Sequence, residues 1–303
     1  MTVKNNHFTD SMIEIIAENI QQQDLKELLI KFVQKNSKKN YLFGELCIFH
    51  YSHFAVSFDE EILRIAAAIE LLVLSFDILD DLEDEDTENK VWNRNPALSL
   101  NGATALLFLS MTAIRKTKFK HKEKAISLME QFSLCSIEGQ HMDLLNICQE
   151  EKTYIEMMED KSGSLVSLAC LVGCVIANAD LPKEVVDYSR CIGIIGQINN
   201  DLADLKNWNG KNDIVNKKYS LPIIYLLDME KNNEQVLTKY YQNKMPKEQF
   251  LEHKHVIQQK LIDADAMKYA LVIKNLYQKK VMNALLKMDF SDNQLETIQK
   301  YMK

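Results

Sequence analysis

Residues 62–84 read ILRIAAAIELLVLSFDILDDLED, and this stretch decides the fold. From Ile62 to Leu79 it is apolar almost all round, interrupted only by Arg64, Glu70, Ser75 and Asp77. The run is long for a strand, and a helix without a polar face must be covered on every side. It therefore belongs at the centre of a helical assembly. At its end it runs into Asp80, Asp81, Glu83 and Asp84, so that end must reach water or a cation.

Working outward, Ser11 to about Gln34 repeats apolar residues at helical spacing (Met12, Ile15, Ile16, Ile20, Leu25, Leu28, Leu29, Phe32), with Thr9 or Asp10 as cap. That pattern predicts one outer amphipathic helix. Leu42 to Tyr51 is a second apolar segment, and further helices are predicted over 97–114, 123–147, 153–178, 183–207, 220–229, 247–263 and 265–288. Gly and Pro together number 12 of 303 residues, about a third of their usual share, so turns are few and helices long. No strand-period alternation, internal repeat or breaker-rich linker is present. The expected fold is all-α, one large helical bundle over residues 1–303 with buried central members.

The formal net charge is −7, but residues 77–88 alone carry eight acids and no base, so the negative charge is local. No global basic field points to nucleic acid. The basic run Arg115–Lys124 lies between two apolar segments and reads as a solvated connection. Cys47, Cys135, Cys148, Cys170, Cys174 and Cys191 form no C-x-x-C pair and mostly sit in apolar stretches, as expected for a reduced, cytoplasmic protein. No signal peptide is apparent at the N-terminus. The longest unbroken apolar run, Leu168–Ala177, has ten residues, about half of what spans a bilayer. A chain that does not span a membrane is expected.

Two places share one design: an apolar helix ending in closely spaced acids. Ile69–Leu79 leads to Asp80, Asp81 and Asp84, and Val185–Ile198 leads to Asn200, Asp201 and Asp204. Residues at i and i+4 share a helix face, so Asp80 with Asp84, and Asn200 with Asp204, each make an oxygen-rich pincer. Carboxylates this close repel unless a hard cation offsets them. Mg²⁺ takes oxygen ligands, keeps waters and is commonly held by one or two carboxylates plus substrate phosphates. Facing pincers would hold a diphosphate between several Mg²⁺ ions, which spread the charge of a departing diphosphate.

With these motifs in order, the sequence resembles the trans-isoprenyl diphosphate synthase family over about residues 38–225. Asp80, Asp81 and Asp84 match its first Asp-rich motif, with Glu70 at a usually acidic or polar place ten before the pair. Lys161 in Asp160-Lys161-Ser162-Gly163 matches the Lys-Thr motif, whose lysine grips the allylic diphosphate. Gln197, Asn200, Asp201 and Asp204 match the second Asp-rich motif. Gly210-Lys211, Asp213, Lys218 and Ser220-Leu221-Pro222 resemble the segment that follows, whose lysine also binds diphosphate. The resemblance implies the isoprenoid-synthase helical fold, two or three Mg²⁺ ions, an allylic isoprenyl diphosphate substrate and a homodimer. It also implies that bulky residues four or five before the first Asp, here Phe76 and Ser75, floor the prenyl pocket.

The departures concern the acceptor. Elongating synthases bind isopentenyl diphosphate with a Gly-Lys-x-x-Arg segment and an Arg-Arg pair. Here those places read Ser37-Lys38-Lys39-Asn40-Tyr41-Leu42 and Trp92-Asn93-Arg94-Asn95-Pro96. Lys38 or Lys39 and Arg94 are what is left, too little for a second diphosphate, which needs several cationic donors. The pattern is similar to the ComQ-type isoprenyl transferases of bacterial peptide quorum sensing. That resemblance implies transfer of a geranyl or farnesyl group to a tryptophan of a small pheromone precursor peptide. An electron-rich indole suits an allylic cation.

Three other readings are open to the sequence. A geranyl or farnesyl diphosphate synthase is disfavoured by the missing arginines. A class I terpene synthase would carry Ser or Thr, then Glu, where Asp204 and Trp208 stand. A non-catalytic partner subunit would tolerate loss of the aspartates, and all are present. His50 and His53 lack a carboxylate or Cys partner in sequence and read as core or helix-surface residues. His253 and His255 read as exposed, Cys170 and Cys174 as packing, Asp77 as an extra acid beside the first motif, and the Lys-rich 265–288 segment as a surface helix.

Overall fold

The computed structural model describes residues 5–36, 41–84, 90–206, 208, 212–230 and 235–302. Regular structure among them is helical throughout: α1 (Asn5–Asn19), α2 (Gln23–Asn36), α3 (Leu42–Phe54), α4 (Ile62–Glu83), α5 (Pro96–Arg115), α6 (Lys122–Leu145), α7 (Glu151–Met158), α8 (Ser164–Asn178), α9 (Lys183–Asp204), α10 (Leu221–Glu230), α11 (Val236–Tyr241), α12 (Lys247–Glu252), α13 (Lys254–Asp263), α14 (Ala266–Leu285) and α15 (Asp292–Lys300). A 3₁₀ turn, Val91–Arg94, precedes α5, and a π turn, Glu159–Gly163, joins α7 to α8.

The apolar run that opens the sequence argument is α4, buried without a break from Ile65 through Ser75. It packs against α5, α3 and α1. Its counterpart α8 is buried from Val166 through Ile176 and packs against α3, α6 and α9. These two helices have no solvent face because neighbours cover all sides, the structural meaning of their missing amphipathicity. A smaller core of Leu205, Ile214, Ile223, Leu237, Phe250 and Ile257 gathers α10 to α13.

The short helices α11 and α15 are not expected from the sequence, and three expected segments differ from its reading. The helix expected over Ser11–Gln34 is two helices, broken at residues 20–22. There the Asn19 side chain donates to the Ile15 carbonyl at 2.7 Å and the Gln22 side chain accepts the Leu25 N–H. Side-chain amides thus satisfy groups that a continuous helix would have paired. The helix expected over 247–263 bends at His253, which lets Phe250 stack on Tyr240 at 3.9 Å while Ile257 and Leu261 enter the same small core. Within 153–178 the π turn adds one residue to the helical circuit. By length and mean hydropathy, 96–115 and 151–178 would also pass as membrane-crossing helices. Much of the second, 72% of its most apolar window, is buried in the bundle. All six cysteines are free.

The π turn is wedged between two helices that lack side chains where it touches them. A Cβ at Gly139 of α6 would overlap the Lys161 backbone nitrogen and lie 2.8 Å from its Cα. On the other side, a Cβ at Gly193 of α9 would overlap Gly163 and lie 2.5 Å from the Ser162 carbonyl oxygen. Backbone meets backbone at both contacts, so neither can yield as a flexible side chain would. Gly193→Ala is therefore expected to lower stability by about 1–3 kcal/mol despite better helix propensity. Urea denaturation would check this, and a variant as stable as the parent would show that the wedge relaxes freely.

Candidate active site

The π turn aims Lys161 across the bundle at the end of α4. Its Nζ lies 3.1 Å from Asp80 Oδ1 and 2.7 Å from Asp143 Oδ2. Burial works against its charge, but the two carboxylates outweigh it and push its pKa above the ordinary lysine value. The Ser136 hydroxyl donates to the Lys161 carbonyl at 2.8 Å and fixes the turn to α6.

Lys218 completes the arrangement from a loop. Its Nζ lies 2.6 Å from Asp84 Oδ1 and 3.8 Å from Asp143 Oδ2. The loop is held by Asn146, the left-handed cap of α6, whose side chain donates to the Lys217 carbonyl at 2.7 Å and accepts from the Tyr219 N–H at 3.3 Å. A left-handed position suits asparagine better than most residues. Tyr241 adds a hydrogen bond to the Lys218 carbonyl at 2.8 Å. Asp80, Lys161, Asp143, Lys218 and Asp84 thus form a chain of alternating charge across four segments, in which each lysine touches two acids.

The remaining motif residues divide by direction. Asp81 turns sideways, where Lys90 Nζ at 2.6 Å and the Trp92 indole N–H at 2.7 Å hold it. Asn200 is exposed on the cavity wall, and Asp204 one turn on is half-buried. Asp201, grouped with them in the sequence reading, goes the other way. It is only 3% exposed, accepts from the Tyr154 hydroxyl at 2.8 Å and the Gln197 amide at 3.0 Å, and burial raises its pKa well above the carboxylate range. The reason is helical geometry: i and i+4 share a face, and i+1 does not.

A cavity of about 490 Å³ opens beneath this charged rim. Asp80, Glu83, Lys161, Gln197 and Asn200 stand at one end; Val73, Phe76, Leu42, Phe43, Leu165, Val166 and Ile192 make an apolar interior. Phe76 lines it as expected, whereas Ser75 is buried with its hydroxyl on the Ala103 carbonyl at 2.8 Å, facing α5. Among the described lining residues Lys161 is the only lysine or arginine. Arg94 is exposed on its 3₁₀ turn and is not among the lining residues. Lys38, Lys39, Gly210 and Lys211 lie outside the described residues.

Sequence reasoning missed Asp143 and Gln140, the latter donating to Glu83 at 3.0 Å. Their signal was present: with Gly139 they form a polar, side-chain-poor patch on a helix that Ala125, Leu128, Met129 and Phe132 otherwise bury. Lys90 and Trp92 carried no signal, since their role depends on how the chain returns to α4. His50 is a core residue as read, bonded to the Leu46 carbonyl at 2.6 Å and to the Tyr188 hydroxyl, and burial lowers its pKa to about 4.

The bundle with buried α4 and α8 carries a lysine-bridged acidic rim above an apolar cavity. The polyprenyl synthetase family profile matches residues 22–259, and the chain belongs to that family. It is a prenyltransferase. It is 37% identical over 268 residues to tryptophan prenyltransferase ComQ of Bacillus subtilis subsp. natto (strain BEST195), covering 88% of this chain and 82% of that one. Tryptophan prenyltransferase ComQ of Bacillus spizizenii is 33% identical over 283 residues, 92% of this chain and 99% of that one. Among solved structures, polyprenyl synthase from Caulobacter crescentus CB15, complexed with calcium and isoprenyl diphosphate, superposes with a TM-score of 0.79 at 17% identity over 100% of this chain and 97% of that one.

Among the described residues no three His, Cys, Asp or Glu side chains converge as a ready-made metal cluster. Among the described residues a single imidazole, His141, lines the cavity, and the rim's oxygen donors come from the ends of α4, α6 and α9. This suits a hard divalent ion that completes its shell with water and phosphate.

Ten residues before Asp80, α4 buries Glu70, which accepts the Gly44 N–H at 2.6 Å. Burial raises its pKa from 4.5 to about 8, opposed by hydrogen bonds from Gly44 and Phe43 and assisted by Asp77. Between those two pH values the folded chain keeps a proton that the unfolded chain has lost, so Glu70 makes stability fall as pH rises through this window and has no further effect above it. Glu70→Gln keeps the acceptor and removes the titration. The variant should gain on the parent by about 1.4 kcal/mol per pH unit across the window. Parallel stability curves from urea unfolding at pH 5 and pH 8 would show that Glu70 is ionised in the fold.

Proposed function

We propose that this chain is a Mg²⁺-dependent isoprenyl transferase that takes a geranyl or farnesyl group from its allylic diphosphate and attaches it to a tryptophan of a small precursor peptide in quorum sensing. The observation that carries this is the cavity's make-up: one charged rim for one diphosphate, above an apolar interior. The likeness to the tryptophan prenyltransferases points to the acceptor.

In this reading Asp80, Asp84, Asn200 and Asp204 hold the metal ions, and Lys161 and Lys218 exchange their acid partners for diphosphate oxygens as substrate enters. Bound Mg²⁺ supplies stabilisation of the charge that develops on the leaving diphosphate. Gln197 is fixed by Ser162 at 2.9 Å and by Asp201, so it presents a set polar face beside the reacting carbon. Asp81 and Asp201 support the rim from behind. The carbon–oxygen bond to diphosphate breaks, a bond to an indole ring carbon forms, and the proton released from the indole passes to the displaced diphosphate or a neighbouring carboxylate. A second diphosphate beside the first would need extra cations, because like charges repel strongly where water is scarce. An uncharged indole needs none, and its face attracts the allylic cation.

The same reading places the enzyme in the cytoplasm, in keeping with six free cysteines, and outside the bilayer. It includes a homodimer: α5 and α6, which pack on each other, leave Leu100, Phe108, Leu134 and Ile137 exposed, an apolar surface for a second copy to cover.

The test is incubation with Mg²⁺ and geranyl or farnesyl diphosphate, with either a Trp-containing peptide or isopentenyl diphosphate as acceptor, followed by mass spectrometry. Prenylated peptide is expected, with chain elongation far slower; comparable elongation would sink the acceptor assignment. Asp80→Ala should lower turnover by a factor on the order of 10² or more, as loss of an electrostatic element does. Full turnover in a folded variant would remove Asp80 from the site.

A further inference from the structure

We propose that Tyr301, which caps α15, forms the deep wall of the prenyl cavity and limits the length of the donor. The inference rests on the reading that the cavity holds the isoprenyl chain of an allylic diphosphate.

The cavity does not stop at Phe76. Val73, nearly one turn further from the rim on α4, also lines it, together with Leu42 and Phe43 of α3 and Tyr301. Asp80 and Val73 are seven residues apart, which is about 10 Å along a helix. An isoprenyl chain that passes Phe76 therefore meets Val73, Phe43 and Tyr301. Of these, Tyr301 alone comes from an element that is remote in sequence from both α3 and α4.

Its position is fixed from several directions. The phenol donates to Glu45 Oε2 at 2.7 Å, on the same helix as Leu42 and Phe43. Gln278 of α14 donates to the carbonyl of the neighbouring Met302 at 2.8 Å. At the other end of α15 a capping box joins Ser291 and Gln294, and the Gln294 amide reaches His53 Nδ1 at 3.2 Å. Phe290, just before it, packs on His53 at 4.4 Å and Phe49 at 5.5 Å between ring centres. Burial and the Glu45 carboxylate push the phenol pKa up, so it remains a neutral donor to Glu45. A ring held by its hydroxyl cannot swing aside for a longer chain without breaking a partly buried hydrogen bond to a charged group.

The experiment measures binding of the thiolodiphosphate analogues of geranyl, farnesyl and geranylgeranyl diphosphate, with Mg²⁺ and no acceptor, to the full chain and to Tyr301→Ala, Tyr301→Trp and Phe76→Ala. Tyr301→Ala should raise affinity for the longest analogue relative to the shortest by about tenfold or more, since each methylene a pocket admits or rejects is worth that much. Tyr301→Trp should shift the preference the other way. If Tyr301→Ala fails to fold by circular dichroism, Tyr301→Trp and Tyr301→Leu decide. An unchanged preference in folded Tyr301 variants, with the parent binding the analogues, would overturn the proposal and leave the proposed function standing. A parent that binds none of the analogues would overturn both.

Discussion

Several carboxylates and lysines have to share a partly buried rim, and the arrangement of the bundle's open end follows from that constraint. A carboxylate drawn out of water without compensation takes up a proton or pushes its helix apart. Lys161 and Lys218 stand between Asp80, Asp143 and Asp84 and offset their charge. The lysines can do so only because they come from elsewhere, one from a deformed helix and one from a loop tied down by Asn146. Such pairs contribute little to net stability, since desolvation offsets most of their attraction. In the proposed function their value is that the partners can be exchanged: a phosphate oxygen would replace a carboxylate on each lysine, and a hard cation would replace a lysine on each carboxylate.

Asp201 shows a different solution. It is buried beside Tyr154 and Gln197, and its proton affinity rises because burial disfavours its charge and the Asp213 carboxylate lies nearby. The two helix ends that looked alike in sequence are therefore unlike in electrostatics. One is compensated by lysines, whereas the other divides its residues between an exposed Asn200 and an internal Asp201. The internal acid orients Gln197, so a residue outside the cavity helps to decide what the cavity wall presents.

Much of the fold was legible because the decisive signals are local. The all-round apolar runs of α4 and α8, the scarcity of glycine and proline, and the acids that follow Leu79 and Ile198 each speak for themselves. Spacing at i and i+4 grouped Asp80 with Asp84 and Asn200 with Asp204. What could not be read was direction within a motif and partnership across the bundle. Asp81 faces Lys90 and Trp92 because of how the chain returns to α4, and Asp143 matters because it lies between two lysines remote in sequence. The break after Asn19 goes with two local side-chain hydrogen bonds, one from Asn19 and one to Gln22, too small a preference for periodicity to register.

The π turn at Glu159–Gly163 has one more consequence. An added residue in a helical circuit rotates everything after it by about 100° relative to everything before. Tyr154, Met157 and Met158 on one side and Val166 to Ile176 on the other thus lie on differently phased cylinders, although the helix looks continuous. Removing a single residue from this turn would restore one phase throughout, and either the buried face of α8 or that of α7 would then be turned toward water. Insertions and deletions here should be far less tolerated than substitutions, because the reading frame of the packing, more than any one side chain, keeps Lys161 opposite Asp80.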